Sequence, residues 1–231
     1  MEATSSRVDG TPKGTGLENL GIETTARLHW NLNAAELVNA AVVRNEGVFS
    51  AHKALVTETG DRTGRSPNDK FIVDEESTSS EVNWGNVNVS TSEDVFMSLR
   101  AKVVEYLSKQ EDLFIQDLFC GAEPTERLPI RVITQNAWHS AFARNMFVRP
   151  TESEIAEHTA AFTVLHAPHF EAVPEVDGVN SKAFVIVHYA RGEVIIGGTR
   201  YAGEIKKSIF SVMNLLLPRK GILPMHCSAN T

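Results

Sequence analysis

Apolar side chains recur along this chain with two periods, and the switches between them mark its elements. Behind Asn33, Leu37, Val38, Ala41 and Val42 form a stripe at helical spacing, and Asn33 with Glu36 has the spacing of a capping box. Phe96, Leu99, Val103 and Leu107 line one face of a second predicted helix, from about Glu93 to Lys109. A short third helix, Ala137 to Met146, puts Trp138, Ala141 and Phe142 on one side, and Thr151 with Glu154 can cap one more turn. The last helix, Glu204 to Leu216, repeats Ile205, Ile209, Val212, Met213 and Leu216 as one buried stripe, and Pro218 stops it.

Short apolar and β-branched runs lie between the helices. Strands are predicted at Ala51–Thr57, Phe71–Val73, Leu113–Cys120, Ile130–Thr134 and Phe162–Leu165. Ala183–Tyr189 and Glu193–Ile196, joined by a turn at Arg191-Gly192, read as a hairpin. Leu223–Cys227 reads as a further incoming strand. Strands alternating with helices, plus one hairpin, predict an α/β fold with a mixed sheet and flanking helices. Residues 1–16 are polar and rich in Gly, Ser and Thr, and read as a flexible tail; residues 17–231 read as one domain without repeats or linkers. The last segment runs into Ser-Ala-Asn-Thr with no closing helix, which leads us to expect truncation or a missing second domain.

Composition narrows the class. The 231 residues are 42% hydrophobic, enough for one large core. A formal charge of −7, from 29 acidic and 22 basic side chains, argues against nucleic acid as a main partner. No stretch reaches the roughly 18 to 20 apolar residues that span a bilayer, and the start has no charged-then-apolar signal pattern. Two cysteines, Cys120 and Cys227, are too few for a metal cluster or a disulfide framework, which suits a reducing, cytoplasmic setting. Both read as small, semi-buried side chains.

Three segments hold candidate chemistry. In Gly60–Lys70, two glycines let backbone approach a ligand, Arg62 and Arg65 offer planar forks for a carboxylate or phosphate, and Lys70 adds a point charge. By spacing alone the signal is weak and a solvated turn is the plainer reading, and the segment lacks the ending of a phosphate-binding P-loop. In Gly197–Lys207, three glycines and Tyr201 lie between a strand and a helix, where α/β folds keep ligand sites. Lys206 and Lys207 oppose the helix dipole in its first turn, as an ordinary surface pair or as partners of an anion or metal. In Met225–Asn230, His226 and Cys227 alternate along a predicted strand, so at most one faces a given site; a structural histidine is the plainer reading. His188 reads as a core histidine, Trp138 as core, and His139 stays open. No nucleophile elbow, HExxH, zinc spacing or dinucleotide fingerprint occurs.

These segments also bear a resemblance. TGRSPNDKFIV, QDLFCGAEP, ITQNAWHSAFARNMFVRP, FTVLHAP and YAGEIKKSIFSVMNLLLPRKGILPMHCSAN follow one another as in the amino-terminal part of ATP-dependent phosphoenolpyruvate carboxykinases. The resemblance implies the substrate domain of a two-domain enzyme whose C-terminal half binds the nucleotide. It implies conversion of oxaloacetate and ATP to phosphoenolpyruvate, carbon dioxide and ADP, the entry step of gluconeogenesis, with a catalytic Mn2+ and a Mg2+ that travels with ATP. It implies that Arg65 contacts the substrate carboxylate, that Tyr201 lies beside the substrate and carbon dioxide site, and that Lys206 lies near the reacting phosphoryl group. Lys207 and His226 are implied as metal ligands. Asp61 and Arg62 depart from the family pattern, which has apolar or aromatic residues there, as does Asn68, where lysine is usual. The competing expectation is an inactive fragment or anion-binding module that keeps half a site.

Overall fold

The computed structural model of the chain describes residues 16–227. The predicted tail, apart from Gly16, and the final residues from Ser228 lie outside the described residues.

Among the described residues, ten strands and six α-helices follow in chain order. They are β1 (Arg27–Trp30), α1 (Ala34–Val43), β2 (Gly47–Phe49), β3 (Leu55–Thr57), β4 (Lys70–Val73), β5 (Val89–Thr91), α2 (Glu93–Ser108), β6 (Asp112–Cys120) and β7 (Leu128–Thr134). Next come α3 (Ala137–Met146), α4 (Glu152–Glu157), β8 (Phe162–Ala167), α5 (Pro174–Asp177), β9 (Phe184–His188), β10 (Glu193–Gly197) and α6 (Gly203–Leu216). Eight strands form one sheet in the order β1-β6-β7-β8-β10-β9-β4-β5, while β2 and β3 pair as a separate antiparallel hairpin. The sheet is mixed: β6–β7 and β9–β10 are antiparallel and the other neighbours parallel. The α/β class with a mixed sheet is therefore as the periodicity predicts. No helix among the described residues is long and apolar enough to cross a membrane.

The central strands read as unbroken apolar runs because both faces are covered. Ile133, Leu165, Ile186 and Ile195 point to one face and pack with Phe96, Leu99, Val103 and Leu107 of α2. Their neighbours Val132, Val164, Val187 and Ile196 point to the other and pack with Ile205, Ile209 and Val212 of α6. A third cluster joins Leu37 and Ala41 of α1 to Ala137, Trp138 and Ala141 of α3 over Phe114. Asp112, at the start of β6, gathers Arg27, His29 and Arg44. Burial opposes its charge, yet the hydrogen bonds from Arg27 and His29 and the charges of the two arginines outweigh this and hold its carboxyl down to about 2.

Three expectations need correction. Residues 51–54 are not strand: they form the turn of the β2–β3 hairpin, in which Lys53 takes positive φ and Ser50 N–H bonds Ala54 C=O. Leu223–Cys227 is not a strand either. Its Leu223 and Met225 are 77% and 63% exposed, and no strand among the described residues pairs with it. Cys227 is exposed rather than semi-buried, while Cys120 is half-buried with a thiol pushed up to about 11 by desolvation.

The topology gathers the candidate segments at one edge. Strands β7, β8 and β10 are parallel and end together, and β9 runs against β10, so the start of β4 lies at that same edge. The loop before β4, the turn into α3 and the loop from β10 into α6 therefore converge.

Candidate functional site

A cavity of about 270 Å³ opens at this edge, walled by Thr59, Arg65, Trp138, Phe142, Met146, Tyr201, Ala202, Gly203, Lys206 and Lys207. Four of the five residues singled out as site candidates thus share one space. Their approach follows from local structure. Arg65 stands just ahead of a 3-10 turn, Pro67–Asp69, that leads into β4. Its loop is anchored from below by Glu204, a carboxylate only 2% exposed, which accepts from Ser66 N–H at 2.7 Å and lies 4.0 Å from the Arg65 guanidinium. Arg65 itself stays open to the cavity.

Tyr201 is fixed by its loop. Buried His139 Nε2 meets Arg200 C=O at 2.9 Å, and buried His166 Nε2 meets Thr199 C=O at 3.3 Å. A carbonyl only accepts, so each ring carries its proton on Nε2. Tyr201 N–H then donates to Thr199 Oγ1 at 3.2 Å. A Cβ at Gly203 would collide with the Tyr201 ring, so glycine lets α6 begin directly against it. His139, left open on sequence grounds, is thus a fully buried support. Burial, with His166 nearby, pushes it well below the ordinary histidine range, and burial takes His166 to about 3.

The first turn of α6 brings positive charge to the cavity. Burial and then the charges of Arg65 and Lys206 lower the Lys207 ammonium below its ordinary value, with Glu204 opposing. Lys70 is lowered by burial and by Arg65, with Glu204 opposing and Lys207 adding, and donates to Ser211 Oγ at 2.6 Å. The single carboxylate of Glu204 offsets only part of the repulsion among these cations, and an anion in the cavity would relieve more of it.

His226 lies outside the cavity wall. Its ring packs edge-on to Phe210 at 5.5 Å, and Lys207 Nζ sits 5.5 Å from the centre of that same ring. The two implied metal ligands therefore flank one phenyl ring, with His226 on an exposed, irregular segment. Among the described residues no three His, Cys, Asp or Glu side chains gather to hold a metal.

Sequence reasoning missed Glu204, Trp138 as a wall, and Phe210. Glu204 had one available sign: a carboxylate in the first turn of a helix otherwise opened by two lysines. His188 is a core residue as expected, 2.6 Å from Glu93.

The edge where parallel strands end is where α/β domains keep their ligand sites, and the positive lining of this cavity suits an anion. The sequence model of the family described as phosphoenolpyruvate carboxykinase matches residues 26–231, and the chain belongs to that family. A relative from Geobacter sp. (strain M21), named phosphoenolpyruvate carboxykinase (ATP), is 50% identical over 224 residues, covering 97% of this chain and 42% of its own length. Relatives of the same name from Brevibacillus brevis and Geobacillus kaustophilus are each 52% identical, over 88% of this chain and 39% and 38% of theirs. The chain thus spans about two fifths of the length of the curated relatives it matches.

Proposed function

We propose that this chain is the substrate-handling domain of an ATP-dependent phosphoenolpyruvate carboxykinase acting in the cytoplasm, and that residues 17–231 form one domain whose partner is a separate nucleotide-binding domain. The observation that carries this reading is the convergence of Arg65, Tyr201, Lys206 and Lys207 on one small cavity. The reaction breaks the bond between oxaloacetate C3 and its carboxylate. Carbon dioxide leaves, and the electron pair passes to the C2 oxygen as an enolate. That oxygen attacks the terminal phosphorus of ATP, and ADP departs.

The residues divide this work. Arg65 clamps a substrate carboxylate with its planar fork, in a loop that Glu204 holds. Tyr201 borders the place where carbon dioxide leaves and helps exclude water. Lys206 and Lys207 supply positive charge where enolate and phosphoryl charge develop. Lys207, as the neutral amine, and His226 would hold Mn2+, whose chemistry when bound is to stabilise oxyanion charge; Mg2+ would arrive with ATP.

The test is Arg65→Gln in an enzyme of the relatives' full length built on this domain. Losing a charged hydrogen bond to a buried anion costs about 2 to 5 kcal/mol. The expected result is a large loss of kcat/KM for oxaloacetate with ATP binding little changed. Equal effects on both Michaelis constants with unchanged turnover would remove Arg65 from the substrate.

A further inference from the structure

Both terminal nitrogens of the Arg62 guanidinium are engaged in side-chain hydrogen bonds. One nitrogen, Nη1, donates to Ser66 Oγ at 3.0 Å and to Asp69 Oδ2 at 3.0 Å. The other, Nη2, donates to Ser181 Oγ at 2.7 Å. Ser66 and Asp69 are buried, and both lie on the far side of Arg65 from Arg62 in sequence. The guanidinium therefore closes the loop 62–69 into a ring with Arg65 on its rim. Its third bond ties that ring to the segment before β9, which a second bond also reaches, from Asn180 Nδ2 to Asn68 C=O.

From this geometry we infer that Arg62 is a positioning residue: it fixes the loop that presents Arg65, and so sets how well Arg65 meets a carboxylate. The inference rests on the substrate role proposed for Arg65 and adds to it. Arg65 needs such support. It is 41% exposed, and its nearest carboxylate, Glu204, is 4.0 Å away, too far to hold a guanidinium by itself. A fork with three fixed acceptors restricts the loop in a way one apolar contact would not, and a pre-placed donor loses less entropy when its ligand arrives. A lysine at 62 keeps the charge but not the fork, since a single ammonium cannot span the same acceptors in the same directions.

Two readouts on the 231-residue chain test this. Hydrogen exchange is measured for peptides covering 62–70 and 178–183, and NMR titration measures affinity for oxalate, a stable dicarboxylate. Arg62→Gln and Arg62→Lys are both expected to speed exchange in those peptides and to weaken oxalate binding about tenfold, with α2 and the central strands unchanged. Ser181→Ala, which removes one of the three bonds and spares the fold, is expected to give a smaller change in the same direction. Arg65→Gln separates the two levels of the argument. If it leaves oxalate binding intact, the substrate role of Arg65 fails, while the exchange data still report on Arg62. If it abolishes binding but Arg62→Gln alters neither exchange nor affinity, the positioning role is overturned. Arg62→Lys restoring full affinity would assign the effect to charge and overturn it as well.

Discussion

Lys207 has its ammonium opposed by burial and by the charges of Arg65 and Lys206, with only Glu204 favouring it. An amine binds a metal ion through the lone pair that its proton occupies, so this environment suits a ligand better than an ordinary surface lysine. A lowered value means that more of the neutral amine is present at any given pH. Mn2+ affinity in the full-length enzyme should therefore rise with pH as long as the pH lies below the amine's lowered value, and level once it passes that value. Lys207→Arg should bind Mn2+ poorly at every pH, because arginine keeps its proton throughout. Calorimetric titration with Mn2+ measures both. Tight binding by the arginine variant, independent of pH, would exclude direct ligation. The lysine pair was visible in the sequence, but its setting was not: Arg65 is 142 residues away in the chain, and only the sheet order brings it near.

The loop from β10 into α6 depends on two histidines that belong to other elements, His139 on α3 and His166 on β8. Each is depressed in the folded state, so the unfolded chain binds more protons as pH falls. Their contribution to stability is complete above the unfolded value near 6.5 and is lost as pH drops toward about 3 for His166. Asp112 works in the same direction at lower pH, from the ordinary carboxyl value down to about 2. Unfolding free energy from urea titrations should thus fall by about 1.4 kcal/mol per pH unit for each such histidine through the range below 6.5. His166→Gln should reduce that slope by one proton; an unchanged slope would show that His166 is charged in the fold. Legibility at this scale followed length and periodicity. The capping box of Asn33 and Glu36 and the stripes of α2 and α6 were plain, since each repeats over several turns. Strands β1, β2 and β5 were not, because three or four residues cannot display a period, and β1 and β5 lie at the sheet's two edges where polar residues are tolerated. The segment 223–227 misled because an apolar run resembles a strand whether or not a partner exists to pair with it.

Across the whole molecule, the apolar stripe of α6 is buried against this chain's own sheet. The core is thus self-sufficient on both faces, and the 231-residue chain purified alone should fold and unfold cooperatively. What the described residues do not supply is a clamp for ATP. They provide an arginine, a tyrosine and two lysines around one cavity and a histidine near Lys207, but the sequence has no phosphate-cradling P-loop, and among the described residues no three His, Cys, Asp or Glu side chains gather to hold a metal. Phosphoryl transfer is catalysed almost wholly by positioning and charge stabilisation, so half of a clamp gives little rate. We expect the isolated chain to form no phosphoenolpyruvate from oxaloacetate and ATP with Mg2+ and Mn2+, in a coupled assay run beside circular dichroism and gel filtration. Exposed Leu223 and Met225, with Val48, Phe49 and Val56 on the β2–β3 hairpin, leave apolar surface that should make it associate as concentration rises. A nucleotide-binding domain added as a separate chain should restore little activity, because the two walls must be held within about half an ångström of their working geometry. Robust ATP-dependent turnover by the folded chain alone would show that the cavity beside Arg65 and Tyr201 is a complete active site, and would overturn the division of labour between two domains.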